Sequence, residues 1–119
     1  MPVNRTAPLL SLSEPLARIE QAAGQIQSRD GGAFELGVIR ANLIAIAGLV
    51  ERDPGLETAA DDLFAAARAV IAGEPHHPPA RLRRLLQDAL ARFRVRLGSA
   101  REIVDETLDI PEHHAAKAA

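Results

Sequence analysis

The sequence predicts an all-α protein, a four-helix bundle with a long protruding C-terminal helix. Apolar residues recur at steps of three and four along most of the chain, which is the period of one helix face. Glycine and proline clusters divide the chain into four such segments. Its 119 residues are the length of one domain. We therefore expect a single helical domain over residues 13–110, between an extended N-terminal arm, residues 1–12, and a flexible tail, residues 111–119.

The first two predicted helices lie before residue 53. The N-terminal segment contains Pro2 and Pro8 and lacks periodicity, so we expect it to be extended. Ser13 is a good N-cap, and the first helix is expected to run from there to the glycine pair at 31–32. The second helix is expected over residues 33–52. It is apolar on most sides, which is typical of a helix surrounded by protein, so we expect it to be central.

The last two predicted helices follow a tight turn. Asp53 is a suitable N-cap and Pro54 suits the first helical position, so the third helix is expected to begin there and to end near residue 72. A linker with three prolines, residues 73–79, separates it from the fourth helix, which we expect over residues 80–109.

The predicted fourth helix is longer than its partner. At 1.5 Å per residue it would be about 45 Å long, against about 27 Å for the third helix. About twelve residues would therefore extend beyond the hairpin. The apolar residues of this overhang, Ile103, Val104 and Leu108, would need cover from another part of the chain or from a second subunit.

The charge order of the fourth helix is unusual. Residues 81–96 hold six arginines and one acid, whereas residues 97–112 hold one arginine and five acids. This order opposes the helix macrodipole, so we expect a neighbour to compensate it. Six arginines flank the two edges of the apolar stripe, as residues that pair with acids of a neighbouring helix do: Arg81, Arg92 and Arg96 on one edge, and Arg83, Arg94 and Arg101 on the other.

Three interpretations of these arginines stay open. In a hairpin, Arg92, Arg94 and Arg96 would come level with the acids Glu57, Asp61 and Asp62 of the third helix. In an antiparallel dimer, the basic half of one fourth helix would meet the acidic half of its mate. Alternatively, the arginines are solvated and their stems cover apolar surface.

Nucleic-acid binding by the Arg-rich first half of the fourth helix is an alternative function. Against it, the chain has a net charge of −2 and no aromatic side chains interleave with the arginines outside the apolar stripe. We therefore do not expect nucleic acid as the partner.

No motif argues for catalysis, and we expect no metal and no cofactor. The chain has no cysteine, and the pairs His76-His77 and His113-His114 lack the spacing of metal ligands on a helix. Adjacent acids on a helix diverge by about 100°, so they do not form a carboxylate pair. Asn42 lies within the apolar second helix and needs a hydrogen-bond partner if it is buried, which makes it the first candidate for a functional polar group in the core.

No segment indicates export or a membrane span. The most apolar window, residues 33–50, contains Glu35, Arg40 and Asn42, each of which is costly at the centre of a bilayer. The N-terminal apolar run is too short for a signal peptide. We expect a cytoplasmic protein.

The second helix and the Ala-rich helix after it resemble the dimerisation hairpin of sensor histidine kinases. The resemblance rests on Glu35, Leu36, Arg40, Asn42, Leu43 and the apolar run to Val50. In that family a phospho-accepting histidine lies a few residues before the Asn-Leu pair, where this chain has Gly37, Val38 and Ile39. The resemblance implies a degenerate hairpin that dimerises or docks a response regulator.

The function expected from the sequence is protein–protein interaction. A small adaptor, chaperone-like or regulatory protein would self-associate as a homodimer or bind another protein. The interface would be the overhang and the Arg-flanked stripe of the fourth helix, with the second helix as the alternative dimer core.

Overall fold

The chain folds into four α-helices. A computed structural model describes the backbone of residues 2–28 and 31–103, and the side chains of residues 12–28 and 31–103. The helices within these ranges are α1 Pro2–Gln27, α2 Ala33–Ala47, α3 Pro54–Ala72 and α4 Pro79–Ser99. The predicted all-α class is confirmed.

The four helices form two hairpins that pack together. α1 packs chiefly on α2, and α3 packs chiefly on α4. α3 also contacts both helices of the first hairpin, and α4 contacts α1. The short connections between consecutive helices favour this arrangement, because a short loop returns the chain alongside the helix that it has just left.

The core is mainly aliphatic and draws on all four helices. Its largest fully buried side chains are Ile19, Ile26, Ile39, Ile46, Leu63, Leu86 and Phe93. Phe93 is the aromatic member of this set, and alanines such as Ala23, Ala67 and Ala89 fill the narrow spaces between helices. Burial of these residues supplies the main favourable term in folding, because it removes apolar surface from water.

The ends of α3 are as the sequence predicts. The Oδ1 atom of Asp53 accepts hydrogen bonds from the backbone N–H groups of Gly55, at 2.9 Å, and Leu56, at 3.3 Å. These bonds satisfy two of the donors that a helix leaves free at its N-terminus. At the other end the chain turns at Gly73, whose φ of 75° suits glycine.

The extended N-terminal arm predicted over residues 1–12 is wrong. The structure places Pro2 at the start of α1, and the helix continues through Pro8 to Gln27. Proline suits the first helical position. Within a helix it removes one N–H donor, and the turns on either side can still continue.

The second helix is shorter than predicted, because it ends at Ala47 instead of residue 52. The backbone N–H of Gly48 closes the helix on the carbonyls of Ile44 and Ala45. Glycine is a poor helix former, which favours an end at this position.

The fourth helix ends at Ser99, so the predicted continuous helix to residue 109 is wrong. Residues 101–103 instead run antiparallel to residues 49–51. The N–H of Glu51 donates to the carbonyl of Arg101 at 2.6 Å, and the N–H of Ile103 donates to that of Leu49 at 2.8 Å. The overhang is therefore absent at Ile103, and α4 is about as long as α3. Val104, Leu108 and the predicted tail lie outside the described residues.

Candidate interaction surfaces

The arginines of α4 are exposed, apart from the half-buried Arg83. Arg94 pairs with Glu20 of α1, its Nε donating to the carboxylate at 2.5 Å. This contact was not predicted, because none of the three interpretations of the arginines placed an acid of α1 beside Arg94. Glu57 pairs instead with Arg52, just before α3, at 3.2 Å. Among the described residues no ion pair joins α3 to α4.

A groove of about 740 Å³ runs between α3 and α4. We call it the α3–α4 groove. Its lining is Gly55, Thr58, Ala59 and Asp62 from α3, and Ala91, Arg92, Val95, Arg96 and Ser99 from α4. The predicted placement is partly right here, since Arg92 and Arg96 lie across the groove from Asp62. The Arg96 guanidinium lies over Gly55. A Cβ atom added to Gly55 would come within 3.0 Å of the Nη1 atom of Arg96.

A second cleft, of about 470 Å³, lies where α2 ends and α3 begins. We call it the α2–α3 cleft. Its apolar lining includes Leu43, Ile46, Val50, Leu56, Phe93 and Ile103, and its charged lining is Glu51, Arg52, Asp53 and Glu57. Acids therefore outnumber bases around this cleft.

Asn42 is buried against the core, and its side chain is bonded within its own helix. Its Nδ2 atom donates to the carbonyl of Val38 at 2.7 Å. No buried side-chain N or O atom in the described part of the chain lacks a hydrogen-bond partner. The geometry therefore gives Asn42 a structural role within α2.

The outer side of α2 is the largest departure from the expected burial. This helix was expected to be surrounded by protein, yet Phe34 is 77% exposed and Ile44 is 63% exposed. We define the outer face of α2 by six residues that are all exposed: Phe34, Gly37, Ala41, Ile44, Ala45 and Gly48. The opposite side carries Ile39, Asn42 and Ile46, which are buried.

The sequence did carry a signal for this face. Phe34, Ala41 and Ala45 form one of two apolar stripes on α2, and Ile39 and Ile46 belong to the other. Both stripes are apolar, so hydropathy alone does not show which one faces the core. Only the packing of α1 and α3 makes that distinction.

The two histidines in the described part of the chain, His76 and His77, show no arrangement for catalysis or metal binding. In the linker before α4, His77 lies 3.9 Å from Glu74, between Nε2 and Oε2. The described ranges contain no cluster of three or more side chains suited to a metal ion. His113 and His114 lie outside those ranges. Among the helices described, none combines the length and the apolar character that crossing a bilayer requires.

The chain matches no family model, no curated protein and no solved structure. The resemblance to a histidine-kinase hairpin therefore stays a prediction, and α2 packs chiefly on α1 instead of pairing with α3. The cytoplasmic location and the nucleic-acid alternative stay predictions as well.

Proposed function

We propose that this protein is a small protein–protein interaction module that self-associates through the outer face of α2. One observation carries the proposal: Phe34 and Ile44 stand exposed on an apolar helix face. This surface replaces the overhang of the fourth helix, on which the sequence-based expectation of an interface depended.

The face is apolar across its whole width. At 3.6 residues per turn, its six residues all lie within about 60° of Ala41 around the helix axis. Arg40 is the one charged residue nearby, and it lies about 100° away, at the edge. A helix face directed at water is ordinarily polar. A contiguous exposed apolar patch is typical of an interaction surface.

The pattern of large and small residues fits a second copy of the same chain. If two α2 helices pack antiparallel about a two-fold axis at Ala41, Phe34 of one copy lies opposite Gly48 of the other. In the same register Gly37 lies opposite Ala45, and Ala41 meets its own copy. The large Phe34 ring therefore faces Gly48, which has no side chain to obstruct it. Such self-complementarity is what an isologous dimer requires, and the small residues allow close approach of the two helices.

The test is the molar mass in solution, measured by light scattering on a sizing column over a dilution series. We expect a dimer that resists high salt, because its interface is apolar. Ala41→Arg should give a monomer, since it places a charge at the centre of the face. Ala65→Arg is the matched control, because Ala65 is exposed on α3, and it should stay dimeric. A wild-type monomer at every concentration, or an unchanged Ala41→Arg dimer, would overturn the proposal.

A further inference from the structure

We propose that the chain's own acidic segment, residues 104–112, docks into the α3–α4 groove. This surface is separate from the outer face of α2, so the inference is independent of the proposed self-association. It rests on the chemistry of the groove, on the sequence of the segment and on the length of chain between them.

The groove combines apolar surface with two positive charges that form no ion pair with the described acids. Val95 is 70% exposed at this surface, and Ala91 lies one turn before it. Arg92 and Arg96 stand beside these two residues, and neither forms an ion pair with any described residue. One acid, Asp62, lines the opposite wall. The groove therefore suits an acidic ligand that also presents apolar side chains.

Residues 104–112 have that composition. They contain four acids and no base, together with Val104, Leu108 and Ile110. In this segment Val104 and Leu108 are each followed directly by an aspartate, so each apolar side chain has an acid next to it in the sequence. On α4, Ala91 and Val95 are four residues apart and each is followed directly by an arginine. An apolar residue followed by a charged one therefore occurs twice in the groove and twice in the segment, with opposite charge.

Charge distinguishes this groove from the other cleft. The α2–α3 cleft has Ile103 in its lining, so it lies closer along the chain to the segment. However, its charged lining contains Glu51, Asp53 and Glu57 against one base, Arg52. An acidic segment would be repelled there, whereas the two arginines of the α3–α4 groove would attract it.

The segment is long enough to reach the groove of its own chain. Ile103 follows Ser99, which lines the groove, by four residues, so the two Cα atoms lie within about 15 Å. The groove extends from Ser99 to Ala91, which is about 12 Å along α4. Nine residues can span up to about 30 Å when extended, which exceeds the sum of these two distances.

Disulfide trapping in the full chain tests the proposal, because the natural sequence has no cysteine. The test pair is Thr58→Cys, in the groove, with Thr107→Cys, in the segment. Both changes are small and keep the proposed apolar and charged contacts. The control pair is Ala47→Cys with Thr107→Cys, because Ala47 is exposed in the rival α2–α3 cleft.

The expected result is a cross-link within one chain, detected by mass, that forms at least several-fold faster in the test pair. High salt should slow it, since salt screens exposed charges. The double change Arg92→Glu and Arg96→Glu should slow it several-fold, without altering helix content in circular dichroism. Equal rates in the two pairs, a cross-link found only between chains, or no effect of reversing the arginines would each overturn the proposal.

Discussion

Truncating Phe34 tests the proposed dimer most directly. A phenylalanine side chain offers about 200 Å² of surface, and 77% exposure leaves about 150 Å² of it in water. If the second copy covers half of that, about 75 Å² is buried. At about 25 cal/mol per Å² this contributes about 2 kcal/mol. Phe34 occurs twice in a symmetric dimer, so Phe34→Ala should cost about 4 kcal/mol and raise Kd about a thousandfold.

The assay is sedimentation equilibrium over a dilution series for the wild type and Phe34→Ala. Because the ring is exposed, the variant should keep its helix content, which circular dichroism checks. Val95→Ala is the matched control, since Val95 is 70% exposed but lies on α4, away from the outer face of α2. A change in Kd of less than about tenfold for Phe34→Ala, or an equal change for Val95→Ala, would refute the reasoning.

Four further predictions concern stability, measured as the free energy of unfolding in urea. Leu63→Ala should lower it by about 2–5 kcal/mol, because Leu63 is fully buried and its loss leaves a cavity; a loss below about 1 kcal/mol would contradict the described core. Gly24→Ala should raise stability by up to about 1 kcal/mol, since it lies within α1 with open space around it. Gly73→Ala should instead lower stability by about 1 kcal/mol, because its φ is positive. A gain in stability from both Gly24→Ala and Gly73→Ala would contradict the described backbone geometry. Arg94→Ala should lower stability by less than about 1 kcal/mol, because the ion pair of Arg94 with Glu20 is partly exposed. A loss of stability that is equally large at high salt would contradict a contribution from this ion pair.

Local patterns were enough to predict the fold class and both ends of α3, but they failed at α1, which was expected to begin at Ser13 and begins at Pro2. Periodicity identified the helices, and the sequence Asp53-Pro54 located the start of α3 because a cap and its helix are adjacent in the chain. The predicted ends of α2 and α4 were wrong for a different reason. After each helix ends, the chain forms backbone hydrogen bonds with the segment that follows the other helix. Glu51 donates to Arg101 and Ile103 donates to Leu49, across about fifty residues of sequence. No local pattern contains that pairing.

The outer face of α2 was likewise only partly predictable from local patterns in the sequence. Hydropathy showed correctly that α2 is apolar on most sides, but this property has two physical explanations: burial within one chain, or burial against another. A helix in a bundle of four has neighbours on only part of its circumference, so one side of α2 stays uncovered unless another molecule supplies the cover.

The outward sides of α2 and α4 differ, and the difference favours burial against another chain for α2 alone. Away from the α3–α4 groove, α4 directs arginines such as Arg81 and Arg84 toward water, as an ordinary exposed helix face does. α2 directs Phe34 and Ile44 outward, among glycines and alanines. Small residues bury little area themselves, but they let a facing helix approach closely enough to cover the two large side chains. Because most of their surface is exposed to water, Phe34 and Ile44 contribute little to the stability of the monomer, whereas in a dimer they would be the main contributors to its affinity.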